Sequence, residues 1–366
     1  MKLSIEKNDF LNALGHVQSV VERRNTIPIL SNVLLDARNG KLSMTATDMD
    51  IAIIDSAISQ ITTEGAITTP AGTLFDVVRK MPEGAQISLE LEGNKLTVSA
   101  GRSKFSLPTL STEDFPVMTG GDMPHTFRIS APELSSLIEH TRFAISTEET
   151  RYYLNGIFFH AKDGVFLAVA TDGHRLAKAE MPAPAGTTDM TGVIVPRKTV
   201  TELYKLLETT DNECEVSLSD SKIEFSINGA TLTSKLVDGT FPDYERVIPQ
   251  GNPETFSLNC NSFAASVDRV ATIADGKMRA IKMNVENNLI TLKATHADMG
   301  EATEEMEVDY NSTPLEIGFN ARYLLDITSQ IKSGEAVFEV KDGASPSIIK
   351  NSDDDSVLYV IMPMRV

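Results

Sequence analysis

Cysteine is scarce in this chain of 366 residues: Cys214 and Cys260 are the only two, with no CxxC pair and no histidine at ligand spacing. A disulfide framework and a zinc site are thereby excluded as organising features, and both thiols are expected to be small core or surface residues. Long apolar runs are missing as well. The longest near the centre, Val165 to Ala170, falls far short of a membrane span. The opening Met1-Lys2-Leu3-Ser4-Ile5-Glu6-Lys7 alternates and is charged where a signal peptide carries an apolar core, so a cytoplasmic protein without membrane association is expected. Cations are in deficit, 33 Lys and Arg against 51 Asp and Glu, for a net charge of -18. Such a chain is soluble and self-repelling, and on its total charge alone a poor candidate for a nucleic-acid partner. Absent too are the P-loop, GxGxxG, HExxH and GxSxG patterns, which leaves nucleotide hydrolysis, hydride transfer and common acyl chemistry without an anchor.

What is present is a repeat. The stretch Val169-Ala170-Thr171-Asp172-Gly173-His174-Arg175-Leu176 has a degraded counterpart in each third of the chain. Thr47-Asp48 ends the run Lys41 to Ala46, Thr171-Asp172 ends Val165 to Ala170, and Thr295-His296 ends Leu289 to Ala294, with the three threonines evenly spaced. The length exceeds what one core usually supports, and the repeat selects three domains, bounded at 1–121, 122–250 and 251–366.

Each third is itself doubled, a strand and a helix followed by a short antiparallel meander. In the first, Lys2 to Glu6 reads as a strand, and Phe10, Leu11, Leu14, Val17 and Val21 fall at helical spacing. Ile29 to Arg38, the Asn39-Gly40 turn and Lys41 to Thr47 give the strongest hairpin signal in the chain. A second helix carries Leu74, Val77, Val78 and Met81. The middle third follows the same order, with helices through Leu134, Leu137 and Ile138 and through Val200, Leu203, Tyr204 and Leu207, and strands at Asn155 to Ala161, Val165 to Thr171 and Arg175 to Met181. In the last third the helices run through Phe263, Val267, Val270 and Ala274 and through Tyr323, Leu324, Ile327 and Ile331. The expected fold class is α+β.

Candidate chemistry divides between a sharp and a bland reading at each place. Asp172 and His174 have the makings of a base and its orienter, yet the first third puts Thr-Asp at the same turn without a histidine, which favours turn capping. His296, Asp298 and Glu301 suggest metal ligands, but Glu304, Glu305, Glu307 and Asp309 around them read as a solvated acidic surface. Lysines and arginines recur on or beside the six helices (Arg23, Arg24, Arg79, Lys80, Arg142, Arg197, Lys198, Lys205, Arg269, Arg322 and Lys332) while acids crowd the strands and loops. Helices gathered on one side would leave that side far less acidic than the whole and able to meet phosphates; the alternative is a set of ordinary solvated helix faces. The terminal Val360-Ile361-Met362-Pro363-Met364-Arg365-Val366 is either an adaptable apolar surface for several partners or a last strand packed in the core.

Arg151-Tyr152-Tyr153-Leu154-Asn155-Gly156, Thr171 to Leu176, Ser234 to Gly239 through Phe241-Pro242-Asp243-Tyr244, and Met362-Pro363-Met364-Arg365, taken with the repeat, resemble the bacterial DNA polymerase III β-subunit family, the sliding clamps. The likeness spans essentially the whole chain in order. It implies three repeated clamp domains per chain and a head-to-tail homodimer, with helices lining a ring and antiparallel sheets outside. It implies no catalysis, no cofactor and no metal, sequence-independent contact with double-stranded DNA, and tethering of the polymerase III α subunit, the clamp loader and other proteins with clamp-binding motifs. Carried over residue by residue, the likeness assigns the partner-peptide pocket to Leu154, Thr171, Gly173, His174, Arg175, Leu176, Pro242, Arg246, Val247, Asn320, Tyr323, Val360, Met362, Pro363, Met364 and Arg365. It assigns DNA contact to Arg24, Tyr152, Tyr153, Arg197, Lys198 and Lys205, and the subunit seam to Arg102, Lys104, Phe105, Leu107, Ile273, Glu301, Glu304 and Glu305. Gly72, Thr73, Glu148 and Ala274 depart from the family's pattern. Two competing readings are a peptide-binding repeat scaffold that does not encircle DNA, and an enzyme using His174 and Asp172.

Overall fold

A computed structural model describes residues 1–22, 26–118, 121–188, 190–208, 210–274 and 279–365. Six α-helices form where the apolar spacing asks for them: α1 (Lys7–Gln18), α2 (Ala71–Arg79), α3 (Ala131–Arg142), α4 (Arg197–Leu207), α5 (Cys260–Ala271) and α6 (Ala321–Thr328). The side chain of Glu6 caps α1 by accepting from the amides of Asn8 and Asp9, and Asn259 and Asn320 do the same for α5 and α6. Four helices stop sooner than their apolar spacing predicts. Val21 lies beyond the end of α1, Met81 beyond α2, Ala274 beyond α5 and Ile331 beyond α6, each within three residues of the last helical one.

The strands of the described residues pair antiparallel throughout and fall into four sheets. The Asn39-Gly40 hairpin forms as predicted, with φ of 53° and 74° at its two central residues, and Asn228-Gly229 repeats the arrangement at 51° and 86°. Alternation sets the faces: in Asn32–Arg38, Val33, Leu35 and Ala37 are fully buried while Arg38 is exposed. The strand Gly300–Glu307 was not expected. It is an edge strand rich in glutamate and has no buried apolar alternation to announce it.

Contacts divide the chain into two compact units. The first comprises residues 1–135, 184–190 and 198–236. It holds a five-stranded sheet, ordered Gln60–Thr63, Lys2–Glu6, Gln86–Glu92, Lys95–Ala100, Ser103–Pro108, and an eight-stranded sheet. The second comprises residues 136–183, 191–197 and 237–366 and holds another eight-stranded sheet and a four-stranded one. These units follow sheets and not repeats, because strands from successive repeats share ladders. Ile51–Ile58 pairs with Ala230–Lys235 in the first unit, and Arg175–Pro182 pairs with Asp354–Ile361 in the second. The second of these seams positions the site described next: Leu176 lies opposite Val360, and Arg175 opposite Ile361.

Candidate functional site

The turn after Val165–Thr171 is held by its own side chains. Thr171 Oγ1 donates to the carbonyl of Arg175 at 2.7 Å and accepts from the amide of Gly173 at 3.0 Å. Asp172 Oδ1 accepts from the amides of His174 and Arg175 at 2.9 and 3.0 Å. The first repeat uses the same four bonds, with Thr47 and Asp48 serving Ile51, Met49 and Asp50. In the third, His296 Nδ1 takes the aspartate's place and accepts from the amides of Asp298 and Met299 at 3.0 and 3.3 Å. Asp172 is therefore a turn cap, and its other oxygen is 3.1 Å from Arg175 Nε, so it does not orient the His174 ring as a base. Among the described residues no group of three or more His, Cys, Asp or Glu side chains is arranged to hold a metal. Both cysteines are buried, and burial pushes the Cys214 thiol up to about 12.

What distinguishes the second copy is the content of its turn. Gly173 has φ +87°, the position that Met49 occupies at φ +77° in the first copy. Arg175 is buried, and its guanidinium reaches Asp326 at 2.5 Å and the carbonyl of Phe143 at 2.7 Å. It also lies over the rings of Tyr323 and Phe143, at 4.4 and 5.0 Å from their centroids. Two charge partners and two aromatic faces hold one arginine, and through it the turn, to α6.

Beside this turn is an apolar cavity of about 180 Å³. Leu154, Leu176 and Val360 are buried in its floor, and Thr171, Gly173, His174, Arg175, Pro242, Val247 and Met362 complete the wall predicted for it. Asp243 and Tyr244 line it as well, though neither was assigned to it; the motif Phe241 to Tyr244 was the signal available. Phe158 stacks on Phe241 at 4.9 Å with an interplanar angle of 5°, and His160 Nε2 bonds the Tyr244 hydroxyl at 3.0 Å. Burial raises the Tyr244 phenol to about 12 and lowers the His160 imidazole, so it favours the neutral form of each. The chain end is pinned along the rim: the amide of Met362 donates to the carbonyl of His174 at 2.9 Å and that of Met364 to Gly318 at 2.8 Å. Val360 and Ile361 thus end a core strand, while Met362, more than a third exposed, turns out to the cavity.

The other residues assigned to the pocket lie around the cavity's periphery. Arg246 is exposed and pairs with Asp243 at 2.7 Å. Asn320 caps α6, Tyr323 supports Arg175, and Pro363, Met364 and Arg365 run past Gly318.

The residues assigned to DNA contact are placed unequally. Arg24 lies outside the described residues. Tyr152 is half exposed and meets Tyr153 edge to face at 5.8 Å, and Arg197 is exposed. Lys198, however, reaches the carbonyl of Val20 at 3.1 Å and the carboxylates of Glu22 and Asp48. Burial alone would lower its pKa, but the hydrogen bond and charge of Asp48, followed by those of Glu22, raise it. Lys205 pairs with the buried Glu202 at 2.9 Å.

Of the residues assigned to the subunit seam, Arg102, Lys104, Phe105 and Leu107 lie on or beside Ser103–Pro108, an edge strand from which Phe105 projects 42% exposed. Glu301, Glu304 and Glu305 lie on the edge strand Gly300–Glu307, and Ile273 follows α5, half-buried. Glu304 is already held by Arg269 Nε at 2.9 Å and Ser266 Oγ at 3.0 Å, which lowers its pKa.

Comparison with known proteins gives one consistent result. Sequence profiles described as the N-terminal, central and C-terminal domains of the DNA polymerase III beta subunit match residues 1–119, 128–243 and 245–365. The chain is 52% identical to a beta sliding clamp of Caulobacter vibrioides and 36% identical to that of Escherichia coli, with all of both chains covered in each case. Among solved structures, a Caulobacter crescentus beta sliding clamp superposes with a TM-score of 0.95 at 52% identity. A DNA polymerase III subunit beta from Bartonella birtlesii, bound to griselimycin, superposes at 0.97 with 48% identity, again over the full length of both chains.

Proposed function

The chain belongs to the DNA polymerase III β-subunit family, the bacterial sliding clamps, and on that premise we propose that two copies close head to tail into a ring around duplex DNA and tether the replicative polymerase to it. The three repeats, bounded at 1–121, 122–250 and 251–366, serve as its domains. The protein acts without catalysis, in the cytoplasm, and a clamp loader opens and closes it. No helix among the described residues is long and apolar enough to cross a membrane.

The observation that carries this reading is the apolar cavity between the Thr171 turn of the second repeat and the chain end. Partner peptides with a glutamine and two large apolar side chains suit it. Burying two such side chains contributes roughly 3–6 kcal/mol before ordering costs, a range that keeps partners exchangeable. The relative bound to griselimycin adds support, since its fold is shared over the full length. The chain's net charge of -18 argues that topology, not affinity, retains DNA.

Loading the protein onto nicked circles, linearising them with one cut and following retention by gel filtration across a salt series tests the ring. Retention is expected on circles and loss on linear DNA; equal retention on both would sink encirclement and favour the scaffold without a ring. Deleting residues 362–366 is expected to abolish peptide binding and leave the dimer intact.

A further inference from the structure

The last repeat holds an open cleft of about 1340 Å³ beside α5. Thr255 to Asn259, five consecutive residues of the strand Glu254–Asn259, line it, as do Met306 to Asp309. Ser262, Ala265, Ser266 and Arg269, which share one face of α5, complete most of the wall. Glu254–Asn259 is the last strand of its eight-stranded sheet, so among the described residues its outer side carries no ladder.

The other repeats show what lies against this strand. Lys2–Glu6 followed by α1 is the counterpart of Glu254–Asn259 followed by α5: Leu3 and Ile5 are buried as Phe256 and Leu258 are, and Glu6 and Asn259 cap the two helices. A side-chain bond from helix to neighbouring strand fixes the match, His16 with Asp55 at 2.7 Å in the first repeat and Arg269 with Glu304 at 2.9 Å in the last. In the first repeat the chain beyond Asp55 runs on into Gln60–Thr63, which pairs antiparallel with Lys2–Glu6 and covers its edge. In the middle one a Cβ added to Gly186 would meet the carbonyl oxygen of Thr126 at 2.9 Å, so the chain passes close against the equivalent strand, His125–Ser130. In the last repeat the chain beyond Glu304 keeps to the turn at Asn288. The amide of Val308 donates to the carbonyl of Asn288 and the amide of Asn288 to that of Tyr310, while the Tyr310 side chain reaches Phe256 and Glu254 at one end of the strand. Two repeats set their own chain against this strand, and the last leaves a cleft there.

We propose that this cleft takes an extended, basic segment of a partner protein as an added strand. Main-chain bonds to an open edge supply affinity that depends little on sequence, and the side chains around the edge supply the selection. Glu307, Asp309 and Glu335 are exposed on the lining, and none is ion-paired among the described residues. Arg269 is the one cation of the lining, and Glu304 and Ser266 already hold it. The surplus of carboxylates selects lysine and arginine. No lining residue is shared with the apolar groove beside the Thr171 turn, so the two sites are separate. A filled seam does not close such a cleft: the first repeat keeps one of about 280 Å³ between α1 and Asp55 to Ile58, although Ile51–Ile58 is paired there with Ala230–Lys235.

The test uses the full-length protein and the peptide Lys-Thr-Ile-Thr-Thr-Lys, which favours a strand and lacks the glutamine and paired apolar anchors suited to the groove. Glu-Thr-Ile-Thr-Thr-Glu is the control. Backbone hydrogen exchange is followed by mass spectrometry at millimolar peptide. The lysine peptide is expected to slow exchange across residues 255–259 roughly fivefold and to leave residues 171–176 and 360–364 unchanged. The glutamate peptide is expected to change neither. Ala265→Trp, at an exposed position of the helical wall, is expected to fill the cleft and abolish the protection. Glu307→Lys combined with Asp309→Lys, both exposed, is expected to transfer the protection from the lysine peptide to the glutamate peptide, and thermal melting checks that each variant folds. No protection of residues 255–259, equal protection by both peptides, or protection that survives in either folded variant overturns the proposal. Protection confined to residues 171–176 and 360–364 places the peptide in the groove and overturns it as well. Deleting residues 362–366 is expected to leave the protection as it is, so that the groove and the cleft stand or fall separately.

Discussion

At the scale of the residue, three turns share one geometry and differ in what the cap is asked to hold. His296 caps two exposed amides, while Asp172 caps two amides and also pairs with a buried arginine. His296→Ala should therefore cost about 0.5–1.5 kcal/mol, the range of an ordinary neutral hydrogen bond, and His296→Asp should restore it. Asp172→Ala should cost more, on the order of 2–3 kcal/mol, because one partner of a buried charge is lost while Asp326 remains. Melting temperatures of the three variants check the order, and equal losses for His296→Ala and Asp172→Ala would contradict it. The capping role was legible in the sequence because an Asx side chain closes its own turn locally. The setting of Arg175 was not. Its partners Phe143, Tyr323 and Asp326 are brought to it by tertiary pairing that no local pattern encodes. The same holds for Lys198, whose neighbours Glu22 and Asp48 no local pattern places beside it.

At the scale of the element, hairpins and helix cores could be read from spacing, but sheet membership could not. Asn39-Gly40 specifies its turn by the positive φ that it tolerates, and Leu42, Met44 and Ala46 alternate inward from it. Nothing in Arg175–Pro182 announces that its partner is Asp354–Ile361, and that ladder makes the floor of the groove. The groove's outer wall, the short helix Tyr244–Val247, is tied to Gly156–Lys162 through His160 and Phe158. Burial holds the His160 imidazole below its ordinary 6.5; nearby Glu245 opposes this, and Lys162 and Lys178 reinforce it. A depressed histidine stabilises the fold while neutral, so its contribution is present above about pH 6.5 and is lost as pH falls through the folded value. His160→Phe keeps a ring against Phe158 and removes the titration. The wild type should then lose melting temperature faster than His160→Phe between about pH 7 and pH 5, with every other histidine common to both chains. Parallel pH profiles would show that His160 does not titrate within the fold.

At the scale of the whole molecule, two of the sheet edges carry the residues assigned to the subunit seam. Ser103–Pro108 ends the five-stranded sheet and exposes Phe105; Gly300–Glu307 ends the four-stranded sheet and exposes Glu301 and Glu305. An open edge bearing an aromatic side chain invites pairing with another chain. The two edges differ in sign, with Arg102 and Lys104 on or beside the first and glutamates on the second, so like edges repel and unlike edges attract. In the proposed ring such a contact is heterologous and is made twice, so that neither edge is left open. Glu304 contributes less than its position suggested, because Arg269 and Ser266 already hold it, which leaves Glu301 and Glu305 to set register at about 0–1 kcal/mol per pair. On the proposed seam, most of the strength then rests on Phe105, Leu107 and Ile273. Phe105→Glu places a charge on the apolar part of the seam and adds a negative group opposite an acidic edge. Native mass spectrometry at micromolar concentration should record two chains for the wild type and one for the variant. Peptide affinity should be unchanged, since no residue of the groove lies on either edge, and retention on closed circles should be lost. A variant that stays dimeric would move the seam away from these strands; a monomer that still remains on circles would show that DNA is held by contact and not by closure.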